Sequence, residues 1–143
     1  DQCFAEAQYK LGVMYKNGKG VSEDHKKAAQ WYCKAAHQGY GHAQYAFGVM
    51  HQDGMGVAQD DKKAVQWYHK AADQGNAVAQ CDLGCCYEHG EGVTQDFVQA
   101  VQWYRKAADQ GLSNAQNNIG CMYRDGNGVA QDDKKAVQWY RKA

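Results

Sequence analysis

This chain repeats itself every 36 residues, and that period limits what it can fold into. Trp31, Trp67, Trp103 and Trp139 are evenly spaced, each 36 residues from the next. The stretch from Val57 to Tyr68, VAQDDKKAVQWY, returns letter for letter from Val129 to Tyr140. A period of this size marks a stacked array, in which no unit can bury its apolar face alone and neighbours complete each other's core. The 143 residues hold four such units, at about 5–38, 41–74, 77–110 and 113–143. Four are enough for a continuous core.

Within the second unit, Ala43, Phe47, Met50 and His51 fall on one face of a helix. Their counterparts in the first unit are Ala7, Leu11, Met14 and Tyr15. Asp53-Gly54-Met55-Gly56 then ends the helix, because glycine accepts the positive φ of a C-terminal cap and a tight turn. Val57 is placed to tuck the loop into the core. Asp60 is placed to cap a second helix, which runs through Lys63, Ala64, Trp67, Tyr68, Ala71 and Ala72 and stops before Gly75. The pattern predicts an all-α chain of eight helices with no strand.

Gly12, Gly48, Gly84 and Gly120 lie mid-way along the first helices. Glycine there costs about 1 kcal/mol relative to alanine, so four at one phase call for a close approach. The missing Cβ would leave room for a Trp or Tyr of the paired helix. Ala7, Ala43, Ala79 and Ala115 play a similar small-residue part.

Composition excludes several classes. Sixteen Lys+Arg against sixteen Asp+Glu leave no global field to draw the chain to nucleic acid or an anionic membrane. A mean hydropathy of −0.80 and short apolar runs predict no membrane-spanning helix. The six cysteines do not recur as pairs; only Cys85 and Cys121 are 36 apart. They read as mostly free thiols, which weakly favours a reducing compartment. The chain opens on Asp1 and stops inside a unit at Ala143, and so reads as a piece of a longer protein.

The pattern A-x-x-x-[LFI]-G-x-[MC]-[YH]-x-x-G-x-G-V-x-x-D-x-x-x-A-x-x-W-Y-x-K-A resembles the Sel1-like repeat, a relative of the tetratricopeptide repeat with a longer, glycine-rich loop. It covers nearly the whole chain, four times over. The resemblance implies a right-handed α/α superhelical solenoid of four helix-pair repeats, with the first helices lining a concave surface. It also implies non-catalytic adaptor or scaffold work, with a protein or peptide as partner.

Residues that recur faithfully build the stack, so recognition is expected where the units differ on that inner face. If the family's groove carries over, the first unit contributes Glu6, Tyr9, Val13, Lys16 and Asn17, and the second His42, Tyr45, Val49, Gln52 and Asp53. The third contributes Val78, Cys81, Cys85, Glu88 and His89, and the fourth Asn114, Asn117, Cys121, Arg124 and Asp125. Tyrosine supplies contact area together with a hydroxyl, a common anchor for peptides. The recurring Trp-Tyr pairs stand in strict phase with alanines, which points to packing rather than to stacking on bases.

Cys81, Cys85 and His89 are spaced i, i+4, i+8 along one helical face, with Cys121 expected near Cys85 on the next unit. Eight residues of helix span about 12 Å, too far for Cys81 and His89 to share one ion. Three ligands at most could converge, so no metal and no cofactor are assigned. Ser22 is followed by His25, and Ser113 by Gln116, so neither forms the S-x-x-K of penicillin-recognising enzymes. No catalytic residue is assigned.

Some cysteine-rich relatives carry β-lactamase or penicillin-binding assignments and a cysteine pair near each junction. Here those phases hold Ala36, Gln44, Ala72 and Gln80. The alternative function is a secreted or periplasmic hydrolase or ligand-binding protein for a cell-wall or β-lactam-like molecule.

Overall fold

Four aspartates start the four second helices. Asp24, Asp60, Asp96 and Asp132 each accept a hydrogen bond from the backbone N–H three residues on, at 2.9–3.1 Å, satisfying a donor the helix start would leave orphaned. The first helices of the second, third and fourth units end at Gly54, Gly90 and Gly126, all in the left-handed conformation. The computed structural model describes residues 2–143. Its helices are α1 (Gln2–Asn17), α2 (His25–His37), α3 (Gly41–Asp53), α4 (Asp61–Asp73), α5 (Ala77–His89), α6 (Phe97–Asp109), α7 (Ser113–Asp125) and α8 (Asp133–Tyr140). Among the described residues there is no strand.

The helices form two compact units, Asp1–Gln74 and Gly75–Ala143. Each holds two helix pairs, and within each the second helix of one pair packs on the first helix of the next, α2 on α3 and α6 on α7. The first unit's core joins Ala28, Ala36, Ala43, Phe47, Met50 and Trp67, with Val57 of the loop packed against it. The second's joins Val101, Tyr104, Ala108, Ala115, Ile119 and Met122.

The mid-helix glycines meet tyrosine, never tryptophan. A Cβ on Gly12, Gly48, Gly84 or Gly120 would stand within 2.5–2.7 Å of the ring of Tyr32, Tyr68, Tyr104 or Tyr140 respectively. The tyrosine lies flat on a bare stretch of helix backbone. Gly56 and Gly128 serve a different need: a Cβ there would collide with the backbone carbonyl of His25 or Phe97. The loop can cross the start of the preceding second helix only without a side chain.

One expected face is not packed. Ala7 is exposed, and Leu11 and Met14 are 38% and 39% exposed, whereas Phe47 and Met50 at the same phases are buried. α3 has α2 against that face, and α7 has α6; among the described residues no helix of the first unit covers it on α1.

Two recurring devices were not read from the sequence. Gln38, Gln74 and Gln110 donate from Nε2 to Oε1 of Gln8, Gln44 and Gln80, at 2.6, 2.7 and 2.8 Å. Gln44 and Gln116 in turn donate to the carbonyls of Ala36 and Ala108, both at 3.2 Å. The result is a part-buried amide relay: the Gln–Gln bonds tie the two helices of a pair together, and the Gln–carbonyl bonds reach the preceding pair. Lys34, Lys70, Lys106 and Lys142 each place their ammonium 3.9–4.5 Å from the ring centroid of the tryptophan three residues earlier. That spacing is the i, i+3 neighbour contact of a helix.

Candidate functional site

In the first unit the first-helix residues converge. Tyr9, Val13, Lys16 and Asn17 of α1, with Tyr45 and Val49 of α3, line one cleft of about 300 Å³. Tyr32 of α2 and Ala46 of α3 complete its wall and were not anticipated. Tyr32 reaches the cleft because Gly12 lets its ring pass under α1. Ala46 belongs because a small residue beside Tyr45 leaves the cleft open.

Two aromatic groups flank the cleft, one around Tyr9 and one around Tyr45. Tyr9 lies 5.6 Å from Tyr32, 5.4 Å from Tyr40 and 6.2 Å from His42, ring centre to ring centre. Tyr45 lies 5.7 Å from Tyr68. Tilted rings at these separations attract through their quadrupoles as well as by area. Burial pushes the Tyr32 hydroxyl up to about 12, so it stays a neutral donor at any physiological pH. Gln52 lies outside this lining set; its Oε1 accepts from the Tyr68 hydroxyl at 2.6 Å. Among the described residues no carboxylate pairs with Lys16.

In the second unit the corresponding side chains are engaged internally. Cys81 is buried within the core. Cys85 is half-buried and accepts from the Tyr104 hydroxyl at 3.2 Å, while that hydroxyl also meets Glu88 Oε2. Asn118 Nδ2 lies 3.9 Å from the sulfurs of both Cys81 and Cys85. Cys121 takes the Tyr140 hydroxyl at 3.4 Å. Asn117 is exposed, and Arg124 is held in a two-pronged pair with Asp125 at 2.6 and 2.8 Å. That pair pulls the Asp125 carboxyl below its ordinary range.

His89 points its Nδ1 at the Cys85 carbonyl, 3.0 Å away. Among the described residues no group of three or more His, Cys, Asp or Glu side chains is placed to hold a metal ion. Cys33, Cys81, Cys85 and Cys121 are in no disulfide. Among the described residues no helix is long and apolar enough to cross a membrane.

Helix pairs stacked at a 36-residue period, with a glycine under each buried tyrosine and an aromatic cleft between successive first helices, define an α/α-repeat protein. The Sel1 repeat model matches residues 5–40, 41–76, 77–112 and 113–143, and the chain belongs to that family. A protective antigen of uropathogenic Escherichia coli with an SLR fold is 45% identical at a TM-score of 0.96, over 99% of this chain and 30% of that one. A Sel1 repeat protein from Oxalobacter formigenes is 40% identical at a TM-score of 0.92, over 96% of this chain and 56% of that one. The cysteine-rich protein B of Helicobacter pylori is 28% identical at a TM-score of 0.64, over 84% of this chain and 86% of that one. The chain thus spans 30% and 56% of the length of the first two. No functionally curated protein matches it. Proteins of this family are generally protein-interaction scaffolds rather than enzymes.

Proposed function

We propose that this chain is a non-catalytic adaptor whose first unit holds a partner peptide or helix in the cleft between α1 and α3. The observation that carries this reading is the convergence of Tyr9, Tyr45, Val13 and Val49 on one open cleft beside Lys16. Rigid aromatic rings with apolar floors are the chemistry of interface anchors. At about 300 Å³ the space sits at the small end of ligand pockets. It suits one or two side chains of a longer segment better than a whole cell-wall fragment. Lys16 at the edge favours an acidic group on the partner near its apolar anchor. The inner-face residues of the second unit, Cys85, Glu88, Asn117, Cys121 and Arg124, are a separate candidate contact surface on that unit, with Cys81 behind them in its core.

The test is binding of an array of peptides carrying an aromatic or aliphatic anchor flanked by carboxylates. Losing a central aromatic anchor costs about 2 kcal/mol or more, some thirtyfold in affinity. The double variant Tyr9→Ala, Tyr45→Ala should abolish micromolar binding with circular dichroism unchanged, and Lys16→Glu should weaken acidic peptides selectively. Lys62→Ala, Lys63→Ala on the second-helix face should bind as the parent does. Normal binding by the tyrosine variant, with hydrogen-exchange protection on the second helices, would refute the assignment.

A further inference from the structure

Cys85 stands 36 residues after Val49 and 72 after Val13, the two valines of the first unit's cleft. In the second unit a thiol therefore occupies the phase that in the first unit faces the open space. Three polar groups from three helices gather around its sulfur. The Cys81 thiol stands one turn earlier on α5, its sulfur sharing the Asn118 amide with that of Cys85. The Tyr104 hydroxyl of α6 donates to it at 3.2 Å. The Asn118 amide of α7 lies 3.9 Å away. Donors grouped on a sulfur stabilise its anion, and the thiolate is the nucleophilic form.

We propose that Cys85 is a reactive thiol, a modification site for hydroperoxides, with Cys81, Tyr104 and Asn118 as the groups that hold its anion. In the step, the Cys85 sulfur attacks the terminal oxygen of R–O–OH. An S–O bond forms and the O–O bond breaks. The leaving alkoxide takes a proton from solvent and departs as R–OH. Sulfur loses two electrons, the peroxide gains them, and the product is Cys85 sulfenic acid.

The charged neighbours set the pH at which this operates. Asp82 and Glu88 on α5 oppose the anion, whereas the hydrogen bonds from Cys81 and Tyr104 favour it. The Cys81 bond is the largest influence, and the balance holds Cys85 down to about 7. Cys81, as the donor and the more buried of the pair, is pushed up. His89, raised by its bond to the Cys85 carbonyl, adds a nearby imidazole on the same helix. Tyr104 has one proton and two acceptors, Cys85 and Glu88. Glu88 therefore competes with the thiolate for it, and this makes the site falsifiable in two directions.

The experiment is site-resolved mass spectrometry of iodoacetamide labelling against pH on the whole chain, followed by hydrogen peroxide with dimedone as the sulfenic-acid trap. Cys85 should label with a midpoint below the ordinary thiol value of about 8.5 and should carry the dimedone adduct. Tyr104→Phe keeps the ring over Gly84, so the fold survives. It should raise the midpoint by half to one pH unit, which from a midpoint of about 7 slows labelling at pH 7 about two- to sixfold. Glu88→Gln should lower the midpoint, because the tyrosine proton is then released to sulfur. Cys81→Ala should raise it, and Cys81→Ser, which keeps a donor, should restore it. An ordinary midpoint in the parent, no labelling in the folded chain, or a midpoint unmoved by both Tyr104→Phe and Glu88→Gln would overturn the proposal. These readouts need no partner peptide, so they stand apart from the cleft experiment.

Discussion

Gly84→Ala tests whether the mid-helix glycines are packing contacts. The added Cβ would stand 2.6 Å from both Cδ1 and Cε1 of Tyr104, against an optimal carbon–carbon separation of about 3.5–4.0 Å. The ring must retreat by about 1 Å, yet Tyr104 is fully buried and its hydroxyl is tied to Cys85 and Glu88. Overpacking of this kind costs about 1–3 kcal/mol, and alanine's helix propensity returns about 1 kcal/mol. The net loss is about 0–2 kcal/mol, too small a margin for the single variant to decide.

A double-mutant cycle separates the two effects. Tyr104→Leu alone costs stability as a large-to-small change, but its δ-methyls can turn away from residue 84. In that background Gly84→Ala should become stabilising by about 1 kcal/mol, the bare propensity, giving a coupling of about 1–3 kcal/mol. Gly111→Ala is the control. Its φ is +87° and nothing lies within 4 Å of a Cβ there, so its left-handed penalty should be the same in both backgrounds. Urea unfolding followed by far-UV circular dichroism measures all the corners. Equal losses for Gly84→Ala with Tyr104 and with Leu at that position would show that the glycine is not there to receive the ring.

Two further outcomes follow from the caps and the amide relay. The Lys63 N–H holds the Asp60 carboxyl below its ordinary value, so its cap stabilises the fold above the unfolded pKa and is lost as pH falls through the folded one. Asp60→Asn accepts the same bond without a charge. Its urea midpoint should match the parent's near neutrality and fall less steeply below about pH 4; an unchanged acid limb would contradict this. Ala36→Cys, Gln44→Cys places a thiol pair where the Gln44 amide now meets the Ala36 carbonyl at 3.2 Å. Closing so short a loop gives about 2–3 kcal/mol, and the amide bond is missing from both redox forms of the variant and so cancels between them. The oxidised variant should therefore melt a few degrees above its reduced form, and an equal or lower melting point would show that the junction cannot take the bond.

Much of this architecture was legible because the period states each signal four times. One Gly inside a helix is ambiguous, but Gly12, Gly48, Gly84 and Gly120 at one phase demand a steric cause, and the tyrosines are that cause. The capping aspartates were legible for the same reason. Leu11 and Met14 were not, because apolar periodicity reports which face of a helix is greasy and not whether anything lies against it. The glutamine relay escaped because a buried amide looks like a surface residue until its partner is placed, even though Gln8, Gln44, Gln80 and Gln116 carry the same period as the tryptophans. The Trp-x-x-Lys contacts could have been read from spacing alone. In the cleft, the α1 and α3 residues came from helical phase, whereas Tyr32 came from the paired helix, which single-helix phase does not report.

The same tyrosine phase meets different chemistry from one repeat to the next. The hydroxyl of Tyr68 finds Gln52, that of Tyr104 finds Cys85 and Glu88, and that of Tyr140 finds Cys121. Each ring is held flat by a glycine, so the first helix can change the side chains around the hydroxyl without disturbing the pair. Phase 13, 49, 85, 121 reads Val, Val, Cys, Cys, passing from an apolar cleft floor to hydrogen-bonded thiols. If the Tyr–Gly contact is what frees this position, Val49→Cys should be tolerated with little loss of stability, since its volume changes little. A folded Val49→Cys variant that labels readily would show that one side chain per repeat is enough to convert recognition surface into reactive surface. A variant that fails to fold would show instead that the valine is part of the stack.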